Sequence, residues 1–161
     1  MAKPDYPVTA AVRVLRERGV DFSHHPYAYE ERGGTVVSAR ELGVPEHAVI
    51  KTLVMEDEAK RPLVALMHGD REVSTKALAR AIGVKTIAPC APADADRHSG
   101  YQVGGTSPFG TRKAMPVYAQ RTIVDLPRVY INGGKRGFLV SIDPNQLRAA
   151  LPVKEVSVAI I

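Results

Sequence analysis

Short runs of apolar and β-branched residues recur along the chain, and glycine, proline or charged residues bound most of them. Runs of this length and composition are typical of strands. We predict strands at residues 22–27, 49–55, 63–68, 85–88, 114–119, 128–132, 138–142 and 155–160. From about residue 110 the strands follow one another through short turns, which favours antiparallel pairing in the second half of the chain.

Three segments with apolar residues at helical spacing each follow a hydroxyl residue and end at a Gly-Val pair. The predicted caps and stops are Thr9 with Gly19-Val20, Ser38 with Gly43-Val44, and Ser74 with Gly83-Val84. A glycine at this place ends a helix by adopting a positive φ. A last helix is predicted from Asp143-Pro144 to about Leu151. Together these elements predict a single α+β domain over residues 1–161, with a curved, mixed and mainly antiparallel sheet flanked by helices.

Lys51 interrupts the apolar run Val49–Met55. Period-two alternation puts it on the strand face that also carries Val49, Leu53 and Met55. A buried charge without a partner is costly, so this lysine must find a partner, lose its charge or open onto a cleft. The alternative is an edge strand from which the lysine reaches water along its aliphatic stem.

Two glycine-rich segments are further candidates for chemistry, Gly104–Gly110 and Gly133–Gly137. Neither has the spacing of a phosphate loop or of a dinucleotide-binding fingerprint. The first offers backbone amides beside Pro108 and suits a carbonyl or carboxylate oxygen, although a hairpin turn is the alternative. The basic pairs Arg112-Lys113 and Lys135-Arg136 adjoin these segments, and they indicate either contact with phosphate or carboxylate groups or solvated turns.

Composition and charge exclude several classes of protein. The chain has 45% hydrophobic and 24% charged residues, as globular proteins do, and a net charge of +5, which permits a polyanionic partner without requiring one. One cysteine excludes an internal disulfide, and the histidines lack the spacing of a zinc motif, so we expect neither a metal nor another cofactor. We find no apolar run that could span a membrane and no secretory signal, and therefore expect a cytoplasmic protein without membrane contact.

Candidate nucleophiles are weak in this sequence. Cys90 lies between prolines with no histidine nearby in sequence, which favours a small buried thiol. Ser107 is outside any Gly-x-Ser-x-Gly elbow and has no evident base. Tyr27 ends a predicted strand, where its ring either packs or presents the hydroxyl at the rim of a site.

The order of these segments resembles the YbaK/EbsC family of aminoacyl-tRNA deacylases, freestanding relatives of the editing domain of bacterial prolyl-tRNA synthetase. The resemblance rests on His25-Pro26-Tyr27, Lys51-Thr52-Leu53, Ser99–Gly110 and Val129–Gly137. It extends from about residue 9 to residue 151. It implies a YbaK-like editing domain with a strongly curved mixed sheet, a mischarged tRNA as substrate, and prolyl-tRNA synthetase as a candidate partner.

The resemblance also implies roles for single residues. It indicates Lys51 as the catalytic lysine, Gly104 as the donor of an oxygen-binding amide, and Tyr27 and Thr52 as pocket residues. Gly105 joins Gly104 in our prediction, because its amide belongs to the same loop. The other predicted substrate-binding residues are Thr106, Ser107, Pro108, Asn132 and Gly133. The predicted tRNA-binding residues, assigned to acceptor-stem phosphates, are Arg112, Lys113, Lys135 and Arg136.

For this branch the resemblance implies removal of cysteine from Cys-tRNA(Pro), with the substrate thiol attacking its own ester and releasing a cyclic thiolactone. Such a reaction needs positioning and a stabilised oxyanion but no protein nucleophile. One alternative is a deacylase for Ala-tRNA(Pro), or for small amino acids in general, that uses water. Another is a non-catalytic module that binds tRNA or a synthetase. Thr106 and Asn132 replace residues usual in the branch, which bears on the choice between cysteine and alanine.

Overall fold

The computed structural model describes residues 6–160, so the two ends of the predicted domain, residues 1–5 and 161, lie outside the described residues. The helices are α1 (Ala10–Glu17), α2 (Gly34–Leu42), α3 (Thr75–Ile82), α4 (Pro92–Ser99) and α5 (Pro144–Ala150). The strands are β1 (Phe22–Pro26), β2 (Val49–Asp57), β3 (Pro62–His68), β4 (Glu72–Val73), β5 (Ile87–Pro89), β6 (Val117–Gln120), β7 (Val129–Lys135), β8 (Phe138–Ile142), β9 (Val153–Val156) and β10 (Ala159–Ile160). Short 3-10 helices span Glu46–Ala48 and Arg121–Asp125.

Most strands belong to one mixed sheet. Its order is β1-β8-β7-β2-β3-β6-β9, and β5 pairs with β2 beside this path, while β4 and β10 form a separate two-stranded sheet. Antiparallel pairs are β1/β8, β8/β7, β2/β3 and β2/β5; parallel pairs are β2/β7, β3/β6 and β6/β9. The prediction of an α+β fold built on a mixed sheet is confirmed.

The antiparallel pairing predicted beyond residue 110 is correct for β7 and β8 but wrong for β6 and β9, since β6 lies parallel to both β3 and β9. The 3-10 helix Arg121–Asp125 leads from β6 to β7, and α5 leads from β8 to β9. In each case the strand after the connection is not adjacent, in the sheet, to the strand before it. Short connections of this kind do not form hairpins, and the sequence pattern does not distinguish them from hairpins.

Three of the four predicted helix caps are confirmed. The side chains of Thr9, Ser74 and Asp143 accept hydrogen bonds from backbone amides in the first turns of α1, α3 and α5, at 3.1, 3.2 and 2.9 Å. These bonds satisfy amides that have no partner inside the helix. Gly43 and Gly83 adopt the left-handed conformation at the ends of α2 and α3, as the Gly-Val pairs predict.

The cap predicted at Ser38 is wrong. Helix α2 begins at Gly34, so Ser38 lies inside it, buried, and its hydroxyl donates to the carbonyl of Thr35 at 3.2 Å. A buried serine that bonds back to the preceding turn has the same local sequence appearance as a cap. Helix α4 was not predicted, because its sequence Pro92–Ser99 buries only Ser99 and has no apolar stripe.

The remaining differences concern strand limits. The strand predicted at 114–119 begins only at Val117, and the one predicted at 155–160 is divided into β9 and β10. The short strand β4 was not predicted. A two-residue strand has no periodicity, so only its partner in the fold defines it.

Apolar side chains cover both faces of the large sheet. On one face α1 and α5 pack against β2, β3, β7 and β8 through residues such as Leu15, Ile131 and Leu147. On the other face α3 packs against β2 and β3, while a smaller cluster under α2 joins Ala39, Val49 and Leu139. The candidate site lies beside this smaller cluster. No helix within residues 6–160 is long and apolar enough to cross a membrane.

Candidate active site

The sheet has a gap along one edge of β2. On one side β2 pairs with β3 over Ile50–Glu56. On the other side it pairs with β7 only at Val49–Ile50 and with β5 only at Met55–Asp57. No strand within residues 6–160 pairs with Lys51–Leu53 on that side. The backbone of a central strand is therefore open to a ligand at this point.

A cavity of about 740 Å³ opens at the gap. Its walls come from β2, from α2 and the segment before it, from β4 and the start of α3, and from the loop around Gly104 together with the β7–β8 hairpin. The cavity brings together seven residues predicted from the sequence: Tyr27, Lys51, Thr52, Gly104, Thr106, Asn132 and Arg136. Its volume lies within the range of about 300–1,000 Å³ that is usual for small-molecule sites.

Lys51 forms an ion pair with Glu72. Its side chain is 18% exposed, and its Nζ lies 3.2 Å from Oε1 of Glu72, whose side chain is 79% exposed. The side chain of Lys51 therefore reaches the cavity and contacts a carboxylate at its mouth. A partner and an opening onto a cleft were both expected for a charged residue in an apolar strand. Its strand neighbours on the same face, Leu53 and Met55, pack with the α3 side of the core.

Thr52 offers polar groups that the protein leaves free. Its Oγ1 is buried and has no hydrogen-bond partner among residues 6–160. The carbonyl of Val54 accepts from the amide of Cys90 on the β5 side. Because peptide directions alternate along a strand, the N–H and C=O of Thr52 point to the same open edge. Buried polar groups in proteins nearly always have partners, so the N–H and C=O at this edge suit a ligand in the cavity.

The loop around Gly104 forms the wall facing β2. Gly104 has φ +89°, and a Cβ added there would lie 2.6 Å from the hydroxyl oxygen of Tyr29. Asn132 Nδ2 donates to the carbonyl of Gly104 at 3.1 Å, and Arg136 Nε donates to that of Val103 at 2.9 Å. Side chains of the β7–β8 hairpin therefore hold this loop, and only glycine fits the position of closest approach.

The amide of Gly105 is used inside the loop. It donates to the carbonyl of Gln102 at 2.8 Å, and Gly105 does not line the large cavity. Of the two glycines, only Gly104 therefore lines the cavity, and the amide of Gly105 is committed to a bond within the loop.

Three predicted substrate-binding residues also lie away from the large cavity, namely Ser107, Pro108 and Gly133. Ser107 is fully buried, and its hydroxyl accepts from the amide of Phe109 at 3.2 Å. Gly133 is buried so tightly that a Cβ would lie 2.5 Å from the ring of Phe138. These contacts pack the loop and the hairpin on the side away from the cavity.

Tyr27 follows β1 and lines the cavity, while its amide donates to the carbonyl of Gly137 at 2.8 Å. Burial raises the pKa of its hydroxyl, and the neighbouring Tyr29 raises it further. The hydroxyl is therefore neutral at physiological pH and can donate a hydrogen bond to a ligand.

The predicted basic residues divide into two groups. Lys135 and Arg136 border a second, smaller pocket of about 250 Å³ on the other side of the Gly104 loop, and Arg136 also lines the large cavity. Arg112 and Lys113 are exposed, and their amides donate to the carbonyls of Ser99 and His98 at the end of α4. The side chains of both groups are available at the surface.

Cys90 and the histidines lie outside the large cavity. Cys90 is 9% exposed, and burial raises the pKa of its thiol, which disfavours the reactive thiolate. His68 is 1% exposed, with Nδ1 2.7 Å from the carbonyl of His47 and Nε2 2.7 Å from Oγ1 of Thr122. Both are structural in this fold.

Sequence reasoning missed several lining residues, above all Glu72 and Tyr29. Glu72 lies 21 residues from Lys51, and no local pattern joins them. Tyr29 follows Tyr27 at an interval of two, which in an extended segment puts both rings on one side, so this signal was available.

The comparisons with known proteins agree with this geometry. Residues 31–150 match the family described as "Aminoacyl-tRNA editing domain". This chain belongs to the aminoacyl-tRNA editing domain family. The resemblance to YbaK/EbsC deacylases is thereby confirmed, and the protein is an aminoacyl-tRNA editing deacylase whose family acts on mischarged aminoacyl-tRNA.

Individual relatives share much of the chain. An Enterococcus faecalis protein named "Putative Cys-tRNA(Pro)/Cys-tRNA(Cys) deacylase EbsC" is 29% identical over 140 residues, which cover 86% of this chain and 85% of that protein. A proline–tRNA ligase of Streptococcus suis is 27% identical over 97 residues, covering 60% of this chain and 16% of the ligase. The crystal structure of "a putative trans-editing enzyme for prolyl tRNA synthetase" superposes with a TM-score of 0.82 at 20% identity, covering 97% of this chain and 100% of that one. The last comparison bears on the fold alone.

Proposed function

We propose that this editing deacylase removes cysteine from Cys-tRNA(Pro). The observation that carries the proposal is the cavity at the β2 gap, which is lined by Lys51, Thr52 and Gly104 together. The name of the Enterococcus relative supports cysteine as the amino acid. The similarity to a segment of proline–tRNA ligase supports tRNA(Pro) as the carrier. Residues 1–161 then act as one deacylase domain, with a prolyl-tRNA synthetase as candidate partner.

The polar groups of the cavity suit the ester end of an aminoacyl-tRNA. The Gly104 amide and the Lys51 ammonium bind the ester carbonyl oxygen and stabilise the negative charge that it gains in the tetrahedral intermediate. The backbone N–H of Thr52 and the hydroxyl of Tyr27 donate hydrogen bonds to the substrate, while Asn132 holds the Gly104 loop in place. These groups are positioned before the substrate arrives, which is where such sites gain their rate.

The nucleophile in this proposal is the substrate thiol. The cavity lining within residues 6–160 includes no cysteine or histidine, and its serine, Ser38, already donates to helix carbonyls. The thiol sulfur forms a bond to the ester carbonyl carbon, and the bond from that carbon to the ribose oxygen breaks. The thiol proton passes to the ribose oxygen, so the products are a four-membered thiolactone and tRNA with a free 3′-hydroxyl.

A second candidate is a deacylase for Ala-tRNA(Pro), or for small amino acids in general, that uses water. A cavity larger than one small side chain favours it, because such a cavity leaves room for a water beside the ester. Water held by the backbone N–H or C=O of Thr52 at the open edge of β2 would attack the same carbonyl carbon. The two candidates differ in whether an ester without a thiol is cleaved.

The test is deacylation of Cys-tRNA(Pro) and Ala-tRNA(Pro) in parallel, with Lys51→Ala as control. Rapid loss of cysteine alone, abolished in the variant, supports thiol assistance. Loss of alanine at a similar rate replaces it with the water reaction. Cleavage of neither ester above background contradicts both and favours a binding module.

The four basic residues Arg112, Lys113, Lys135 and Arg136 are our candidates for the tRNA backbone. Contact with phosphates releases counterions, so binding weakens as salt rises, with a slope of about 0.7–0.9 in log–log form for each phosphate neutralised. Replacing Lys135 with alanine should reduce this slope in a filter-binding titration. An unchanged slope would remove Lys135 from the interface.

A further inference from the structure

The contact between Glu72 and Lys51 raises a question about substrate charge. Glu72 Oε1 lies 3.2 Å from Lys51 Nζ at the mouth of the cavity. An aminoacyl ester carries an α-ammonium group on the carbon next to the ester carbonyl. If Lys51 approaches that carbonyl, as proposed above, two cations must lie close together in a partly buried site. Such a pair is unfavourable unless an anion lies between or beside them.

Within residues 6–160, three carboxylates line the cavity, those of Glu30, Glu31 and Glu72. Glu30 is paired with Arg40, its Oε1 lying 2.9 Å from Nη2 of the guanidinium. In the part of the chain that the structure describes, no hydrogen bond or ion pair joins Glu31 to Lys51, whose carboxylate partner is Glu72. Glu72 alone of the three contacts Lys51, and its side chain is 79% exposed, so a second cation can reach it.

The backbone of Glu72 is held firmly although its side chain is exposed. In strand β4, Glu72 lies opposite Ile160 of β10, and Val73 lies opposite Ala159. The amide of Ser74 donates to the carbonyl of Val158 at 2.7 Å, and Ser74 caps α3. A recognition group on a fixed backbone loses less conformational freedom on binding than one on a mobile loop.

We propose that the Glu72 carboxylate binds the α-ammonium group of the aminoacyl ester while remaining beside Lys51. Glu72 is then the residue that selects esters with a free amino group over N-acylated esters, such as those of peptidyl- or formylaminoacyl-tRNA. This inference rests on the proposed function, because it takes an aminoacyl ester as the ligand.

The test measures binding without cleavage. Two stable amide analogues are compared by calorimetry, 3′-deoxy-3′-(cysteinylamino)adenosine and its N-acetyl derivative. The unmodified protein should bind the free amine about tenfold to a hundredfold more tightly, as expected for one charge-assisted hydrogen bond. Glu72→Gln should reduce this ratio to about one- to threefold, and Glu72→Asp should give an intermediate ratio. Glu30→Gln, which removes a lining carboxylate already paired with Arg40, should leave the ratio unchanged.

Several outcomes overturn the proposal. Glu72→Gln could weaken both analogues equally, which would mean that Glu72 only supports Lys51. The unmodified protein could bind the two analogues equally or bind neither, which would mean that the α-ammonium is not recognised.

Ester cleavage measured in parallel separates this inference from the proposed function. Cleavage of Cys-tRNA(Pro) without a preference for the free amine keeps the deacylase and removes the role of Glu72. A preference lost in Glu72→Gln, without cleavage of Cys-tRNA(Pro), keeps Glu72 and removes the cysteine reaction.

Discussion

The two walls of the cavity are built by different means. The β2 wall carries Lys51 and Thr52 on a strand whose other edge is hydrogen-bonded to β3 along its length. The Gly104 wall is a loop without regular structure, held by side chains of the β7–β8 hairpin. On the β2 wall the paired strand backbone fixes the positions of the side chains. On the Gly104 wall the side chains of the hairpin fix the position of the loop backbone. Function should therefore fail in different ways when each wall is altered.

The largest expected effect concerns the β2 wall. Lys51→Ala should lower the deacylation rate by about 10²–10³-fold, the usual loss when one group that stabilises an oxyanion is removed. The free energy of unfolding should change by less than about 1 kcal/mol, because the strand ladder does not depend on this side chain. Single-turnover deacylation and urea denaturation measure the two quantities. A large loss of stability would show that the two walls do not differ as described.

The next effect concerns the Gly104 wall. Gly104→Ala should destabilise the fold by about 1–3 kcal/mol and also lower activity, since the new Cβ meets the Tyr29 hydroxyl at a positive φ. Gly83→Ala is the matched control. Gly83 also has a positive φ, of +77°, but a Cβ there meets nothing within 4 Å, and it lies outside the cavity.

Both glycine variants are measured by thermal unfolding and by deacylation. Gly83→Ala should lose stability but keep its activity at temperatures where it is folded. Equal activity losses in the two variants would indicate that global destabilisation, and not the position of the Gly104 amide, is responsible.

A smaller effect is expected when the support of the loop is removed. Asn132 donates to the Gly104 carbonyl, and its Oδ1 accepts from the amide of Gly134 at 2.7 Å. Asn132→Ala should cost about 1 kcal/mol of stability and reduce deacylation by roughly tenfold, because the hydrogen bond that holds the loop and the one that orients Asn132 within the hairpin are both lost. Asn145→Ala on α5 serves as control. Unchanged deacylation in Asn132→Ala would mean that the loop keeps its position without this support.

The smallest expected effect is a pH dependence of stability that arises from β3, the strand paired with β2. Burial lowers the pKa of His68, on β3 opposite Ile50, below its usual value of 6.5. As the pH falls below about 6.5 the unfolded chain takes up this proton before the folded protein does, so stability is lost in that direction. Urea unfolding at pH 7.5 and 5.5 should show a smaller loss in His68→Gln than in the unmodified protein. An equal loss would assign the pH dependence to other groups.

What the sequence could predict follows from the range of the interactions involved. The caps at Thr9, Ser74 and Asp143 and the β2 strand depend on neighbours within a few residues, and all were predicted. Lys51 was identified because its charge conflicts with a local apolar pattern. The sequence predicted the amides of Gly104 and Gly105 together as oxygen-binding groups. It could not show that the amide of Gly105 donates to a carbonyl within the loop.

The features that were missed depend on distant parts of the chain. The contact of Glu72 with Lys51 requires β4 to pair with β10 at the other end of the sequence. The parallel pairing of β6 depends on where the 3-10 helix Arg121–Asp125 carries the chain. Ser38 shows the opposite case, because a local cap signal was present and the tertiary structure used the hydroxyl inside the helix.

The gap in the sheet also bears on aggregation. Unpaired strand edges attract further strands, and long flat ones are templates for association between chains. The edge exposed here spans only Lys51–Leu53, is closed at both ends by β7 and β5, and faces a cavity walled by the Gly104 loop. A chain in extended conformation would find only the N–H and C=O of Thr52 to pair with, because the backbone groups of Lys51 and Leu53 point towards β3. A compact ligand in the cavity can use these groups together with the side chain of Lys51. The fold thus presents strand backbone to a substrate without offering a template to other chains.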